Sequence, residues 1–305
     1  MTSFAISGVF SAAATPINAD LTTDHGLLAR HCQRLLDEGC HGVALLGTTG
    51  EANSFSLTER KAMLESVVEA GVSADRLMPG TGVAAIPETI ELTRHALSIG
   101  IDKVVMLPPF YYKGVSDDGL FYAYARILEG VADDRLKVVL YHIPQVSGIA
   151  LSVELVGRLI KAFPKTVVGI KESKGDFANM QALVRAYPGF AVFPGADPLM
   201  LPLLREGGAG CITATSNLIA DSLRTVFDNH ANPAEEAKVE AAQARINAWR
   251  NLSNSYAQIP TIKAMVGLKH GEKAWQRLRP PLMGLSESDI AALRPQLEQL
   301  PGAGR

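Results

Sequence analysis

What this sequence has little of narrows its class first. It holds three cysteines, Cys32, Cys40 and Cys211, an odd number with no Cys-x-x-Cys pair. A disulfide-stapled secreted scaffold is excluded, and the three read as buried thiols in a reducing compartment. Seven histidines are scattered without the His-Glu-x-x-His spacing, so no metal site is expected. No apolar run approaches the length of a membrane span. The small apolar residues at 9–14 lack the basic region of a signal peptide. The expectation is a cytoplasmic, soluble protein with no membrane partner. Net charge is −2, from 29 Lys and Arg against 31 Asp and Glu. That balance gives no basic surface for nucleic acid or an acidic membrane.

The chain has 305 residues, of which 47% are hydrophobic and 20% charged. That is enough for one large α/β barrel or two smaller domains. Short apolar runs at 8–14, 42–46, 77–80, 103–107, 137–141, 167–170, 191–193 and 210–213 read as eight buried parallel strands. Amphipathic segments alternate with them. One begins at Thr23 or Asp24, and another follows the capping-box pattern Ser56-Leu-Thr-Glu59. Later ones fall at 87–98, 117–131, 153–163, 177–187 and 199–206. The alternation predicts an α/β fold, a (β/α)8 TIM barrel. A doubly wound sheet is the alternative, and the missing Gly-x-Gly-x-x-Gly after the first strand argues against it. Beyond Asp221 the pattern turns all-helical, with segments at 234–248, 262–268 and 287–300. The expected division is a barrel over 1–225 and a C-terminal helical extension over 226–305.

Lys171 follows the sixth apolar run. A charged amine is costly in an apolar layer, so it either reaches solvent or serves a site. The C-terminal ends of barrel strands form the catalytic face. A partly desolvated lysine there has a lowered pKa and can attack a carbonyl to form a Schiff base. Tyr141 ends the preceding strand and could shuttle protons to such an imine, or simply plug the barrel top. His142, its neighbour, faces the other way and reads as structural. Gly47-Thr-Thr-Gly-Glu51 follows the second strand; it is either an anion cradle or a tight turn with a capping Glu. Phe110-Tyr-Tyr112 lies in the longest strand-to-helix loop and suits either loop packing or a subunit surface. Gly195-Ala-Asp197 and Thr213-Ala-Thr-Ser216 end the last two strands, as substrate contacts or as turns. Because those loops bind phosphate in many barrels, a phosphosugar isomerase or aldolase is a rival, with its anion at the helix start near Pro198.

Together these motifs resemble the dihydrodipicolinate synthase / N-acetylneuraminate lyase family over nearly the whole chain. The carriers are Gly47 to Glu51, the Tyr-x-x-Pro…Gly pattern of Tyr141, Pro144 and Gly148, and Gly169-Ile-Lys-Glu-Ser173. The resemblance implies a (β/α)8 barrel with a C-terminal helical domain, assembled as a homotetramer of two tight dimers. It implies Lys171 as the nucleophile toward pyruvate and Tyr141 as the proton relay, with Thr48 linking that relay. Thr48 and Thr49 would bind the pyruvate carboxylate. Tyr111 would reach the neighbour's site across the tight dimer, with Tyr112 as the fallback. Gly195, Thr213 and Val146 complete the expected substrate contacts. No organic cofactor or metal is implied beyond the lysine imine. The synthase branch typically carries Arg where this chain has Val146, to grip a second carboxylate; Lys113 or Lys174 could supply that charge instead. The expected activity is therefore cleavage or formation of a 2-keto acid from pyruvate and an aldehyde, like an N-acetylneuraminate lyase or 2-keto-3-deoxy-sugar-acid aldolase. The alternatives are 4-hydroxy-tetrahydrodipicolinate synthase, condensing pyruvate with aspartate semialdehyde, and a non-catalytic barrel that binds 2-keto acids.

Overall fold

The computed structural model describes residues 5–303. In chain order it runs β1 (Gly8–Ala12), α1 (His25–Asp37), β2 (Gly42–Ala44), α2 (Leu57–Glu69), α3 (Ile86–Ser98), β3 (Lys103–Met106) and α4 (Asp117–Val131). Then come β4 (Lys137–His142), the short α5 (Pro144–Ser147), α6 (Val153–Ala162), β5 (Val167–Glu172), α7 (Phe177–Ala186), β6 (Ala191–Pro194), α8 (Met200–Arg205) and β7 (Gly210–Thr213). Four helices close the chain: α9 (Ser216–Asn229), α10 (Glu236–Ser253), α11 (Gln258–His270) and α12 (Glu287–Glu298). Among the described residues, no helix is long and apolar enough to cross a membrane.

All strand pairs are parallel, in the orders β2-β1-β7 and β3-β4-β5-β6. The two arcs meet at two seams. At the first, segment 77–81 serves as an eighth stave. Met78 and Gly80 donate to the Val43 and Leu45 carbonyls at 2.9 and 2.7 Å, and Thr81 donates to Val105 at 3.1 Å. The run at 77–80, expected as a full strand, makes only isolated bridges, Val43 with Leu77 and Gly80 with Val105. On the β3 side Pro79 limits the pairing, since it has no N–H to give there. At the second seam Ala209 donates to Val192 at 3.1 Å. The barrel is thus knit by individual hydrogen bonds where the continuous ladders stop.

Two hydrophobic cores follow from the alternation of strand side chains. The inner one fills the barrel with residues such as Phe10, Met78, Val139, Phe193 and Ile212. Phe10 and Phe193 meet edge-to-face there, 5.9 Å between centroids. The outer one lies between strands and helices and continues into the C-terminal helices through Trp249, Met265 and Trp275. The helix α9 follows β7 directly and spans position 225. Cys32, Cys40 and Cys211 are free and buried, and burial pushes all three thiols well up, Cys32 to about 12.

Candidate active site

The strand β5 continues past Ile170, because its ladder does not depend on the apolarity of Lys171 and Glu172. Those two residues pair with Tyr141 and His142 of β4 and with Phe193 and Pro194 of β6. The register shifts between Val138 and Val139: Val138 pairs with Val167, but Val139 pairs with Gly169. Val168 is therefore an extra residue, a bulge that re-aims the C-terminal half of the strand. The shift sets Lys171 opposite Tyr141 on one face. Gly169 is required here, since a Cβ would lie 2.6 Å from the Ala191 carbonyl oxygen.

Lys171 is buried, and its Nζ lies 4.3 Å from the centre of the Tyr141 ring. An amine over an aromatic face is held partly by the ring quadrupole. The Tyr141 hydroxyl lies 3.2 Å from Oγ1 of Thr48. Amine, phenol and threonine hydroxyl thus line one cavity of about 340 Å3 at the C-terminal ends of the strands. Val146, on α5, lines it too.

On the opposite face of the same two strands, His142 and Glu172 fix the loops behind the site. His142 Nδ1 accepts from the Leu151 N–H at 3.0 Å, which leaves the ring proton on Nε2, 3.7 Å from Glu172. Glu172 accepts from the N–H groups of Lys174 and Gly175, both at 3.0 Å. Burial raises the Glu172 carboxyl and those N–H groups oppose the rise; burial and then Lys174 lower the His142 imidazole. His142 is thus a structural residue, as its parity in the strand implied.

The loop that carries Thr48 and Thr49 is bracketed by two non-glycine residues in the left-handed region, Leu46 at φ 56° and Glu51 at φ 57°. Such conformations cost about 1–2 kcal/mol each for an L-residue. Thr15 Oγ1 holds the loop by donating to the Gly50 carbonyl at 2.8 Å. Glu51 caps no helix with its side chain, contrary to the tight-turn reading. It is buried, pairs with Lys263 of α11, and accepts from the Arg279 N–H at 3.2 Å. Arg279 in turn reaches Glu59, donates to the Ser54 and Leu21 carbonyls at 2.8 Å each, and stacks over Phe55.

Other expected residues lie elsewhere. Thr49 is buried beside the cavity loop, outside the lining. Gly195 packs against Ser173, where a Cβ would fall 2.1 Å from its Oγ. Thr213 is buried at the end of β7, paired with Ser11. Neither lines the cavity. Tyr111 and Tyr112 are 73% and 76% exposed and meet edge-to-face at 5.3 Å. Within one chain neither lines the cavity that holds Tyr141. Lys113 donates to the carbonyls of Phe110 and Ser147, and Lys174 pairs with Asp176 at 3.1 Å. The sequence motifs give no sign of Ile259, Pro281 and Leu282, which bring the C-terminal segment to the cavity wall.

A strand-end lysine under a tyrosine ring, at the mouth of a parallel α/β barrel, is the equipment of a class I lyase, which works through a lysine imine. The comparisons with known proteins narrow that class. The chain belongs to the dihydrodipicolinate synthetase family, whose model matches residues 5–300. Members of that family are pyruvate-dependent lyases or aldolases. A DapA-like lyase of Chloroflexus aurantiacus is 36% identical over 294 residues, 96% of each chain. The crystal structure of dihydrodipicolinate synthase from Agrobacterium tumefaciens is 31% identical with a TM-score of 0.88, covering 96% of this chain and 99% of that one. YagE, a prophage protein of the same family from E. coli K12 solved in complex with pyruvate, is 26% identical with a TM-score of 0.88, covering 97% and 99%.

Proposed function

We propose that the protein makes or breaks a carbon–carbon bond between pyruvate and an aldehyde through an imine on Lys171. The register of Lys171 with Tyr141, and the 3.2 Å approach of Thr48 to the Tyr141 hydroxyl, carry this reading. The Lys171 amine adds to the ketone of pyruvate, and the carbinolamine loses water to give a protonated imine. That imine is the electron sink. Loss of a C3 proton gives the enamine, whose C3 attacks the aldehyde carbon while the aldehyde oxygen gains a proton. Water then hydrolyses the imine, releasing a 4-hydroxy-2-keto acid and the free amine. Tyr141, backed by Thr48, relays the protons. Thr48, which lines the cavity, offers a hydroxyl donor to the pyruvate carboxylate. No cofactor beyond the imine takes part. The pyruvate found in the E. coli relative supports this choice of ketone.

The exposed pair Tyr111 and Tyr112 supports a tight dimer in which Tyr111 completes the neighbour's relay, within a homotetramer acting in the cytoplasm. A fully active monomer, seen by ultracentrifugation at the assay concentration, would contradict that assembly.

The synthase reading has support in the 31% identity to the Agrobacterium enzyme. Against it stands Val146 at the cavity mouth. The test of the central proposal is incubation with pyruvate and borohydride, followed by peptide mass analysis. One pyruvate-derived mass should appear on the peptide at Lys171. An unmodified Lys171, or label on Lys174, sinks the assignment.

A further inference from the structure

Beside the loop that carries Thr48, two regions far apart in sequence give the cavity an apolar wall. Phe110, Ile143 and Val146 follow β3 and β4, while Ile259, Pro281 and Leu282 come from the C-terminal segment. All six are apolar. Among the described lining residues only two side chains are charged, Lys171 and Glu51. The first is the nucleophile, and the second is already paired with Lys263 and with the Arg279 N–H. Asn53, Ser54 and Ser147 add neutral polar groups and no charge, and the Ser147 hydroxyl is already bonded to the Ile143 and Ile149 carbonyls. The lysines nearest the mouth in sequence are also committed: Lys113 to the Ser147 carbonyl at 2.6 Å and Lys174 to Asp176 at 3.1 Å. The volume, about 340 Å3, is at the scale of small-molecule sites, about 300–1,000 Å3, and leaves room beyond three-carbon pyruvate.

A carboxylate pressed against this wall would lose its hydration and gain no partner, and a polyol would lose several hydrogen bonds at once. An apolar group loses nothing of that kind and is driven in by the area it removes from water. We infer that the second substrate is an aldehyde with an uncharged apolar substituent, aromatic or branched alkyl, and that the matching product is a 4-hydroxy-2-keto acid bearing that substituent. This inference rests on the reading of Lys171 as the pyruvate imine. The step is the one given above: one carbon–carbon bond forms, the aldehyde oxygen becomes a hydroxyl, and water restores the amine. No oxidant or reductant is needed.

The experiment gives the wild-type protein pyruvate with benzaldehyde, isobutyraldehyde, glyceraldehyde or aspartate semialdehyde, and reads kcat/KM and product mass. Borohydride trapping with pyruvate alone is run beside it. The expected result is a trapped imine and a preference of at least about tenfold for the two apolar aldehydes, the range that shape and polarity give in apolar pockets. An imine with equal or better turnover of glyceraldehyde or aspartate semialdehyde overturns the inference and leaves the Schiff-base reading standing. Failure to trap any imine overturns both. Leu282→Ser supplies the second arm. Its ratio of kcat/KM for benzaldehyde over glyceraldehyde should fall about tenfold. That ratio is taken within one preparation, so partial misfolding cancels. An unchanged ratio removes the C-terminal wall from substrate recognition.

Discussion

Lys263 and Glu51, 212 residues apart in sequence, form an ion pair with both side chains fully buried. The pair ties α11 to the loop that presents Thr48. Lys263 also donates to the Arg277 carbonyl, so its ammonium is shared between two segments. Burial lowers the Lys263 amine, and the Glu51 carboxylate opposes that shift. Such a pair adds little net stability over a hydrophobic replacement, but half of one is costly. Glu51 sits in a left-handed conformation that only its surroundings sustain. The ion pair is therefore a positioning device for the hydroxyl that touches Tyr141.

Lys263→Met should lose about 3–5 kcal/mol of stability, because it strands the Glu51 carboxylate in the interior. Glu51→Gln added to it should restore part of that loss, since the stranded charge is gone. Urea unfolding of the two single variants and the double variant gives the coupling directly. Additive losses would mean that the pair does not act as a unit.

Tyr141→Phe should reduce kcat by roughly 10²–10⁴-fold, the usual worth of a positioned acid–base group. Only a hydroxyl is removed, so the melting temperature should hardly move. The ring that faces the Lys171 amine is kept, so borohydride trapping at long incubation should still label Lys171. Near wild-type kcat would refute the relay.

The pH dependence of stability should carry a signature from His31. This side chain is buried, with Nε2 2.9 Å from Asn217 Oδ1 and Nδ1 facing the Arg34 guanidinium at 3.1 Å. Burial is the main cause that lowers its pKa from 6.5 to about 3. The unfolded chain takes up the proton first as pH falls, so the folded state loses ground between 6.5 and about 3. His31 thus contributes stability that is full above its unfolded pKa and is lost on acidification, about 1.4 kcal/mol per pH unit within that window. His31→Gln should flatten the slope of unfolding free energy between pH 6 and pH 4 by about that amount. Equal slopes in both proteins would show that His31 is protonated in the folded state.

Most of the barrel was legible because its strands are buried on both faces and so appear as unbroken apolar runs. The limits of that signal are visible at two places. Lys171 and Glu172 are polar, so the run ends at Ile170, yet the ladder continues through both. Pro79 is compatible with an apolar run, yet it removes the N–H that a full strand would give to β3. That Lys171, Tyr141 and Thr48 share one cavity was legible because each sits at or just after a strand end, where local sequence fixes position. Ile259, Pro281 and Leu282 could not, since no periodicity says which distant helix covers a barrel mouth. One signal went unused. Lys263 stands inside the apolar stretch Ile262-Lys-Ala-Met-Val266, and a buried lysine requires a carboxylate partner.

Val146 is 62% exposed on the short helix after β4, at the mouth of the cavity. An acceptor such as aspartate semialdehyde brings a second carboxylate to that mouth. Arginine would meet it with a planar, permanently charged fork, the strong form of the contact. Valine offers no donor, and the nearby ammonium groups of Lys113 and Lys174 are held by backbone carbonyls and by Asp176. A hydrogen bond to a charged group contributes about 1.5–3 kcal/mol, or about one to two powers of ten in kcat/KM. Val146→Arg should therefore raise kcat/KM for aspartate semialdehyde by about ten- to a hundredfold and lower it for apolar aldehydes, which lose a hydrophobic wall. Steady-state kinetics on both acceptors, at saturating pyruvate, makes the comparison. A wild-type protein that already handles aspartate semialdehyde well, with nothing gained from the arginine, would show that the second carboxylate is met from another direction.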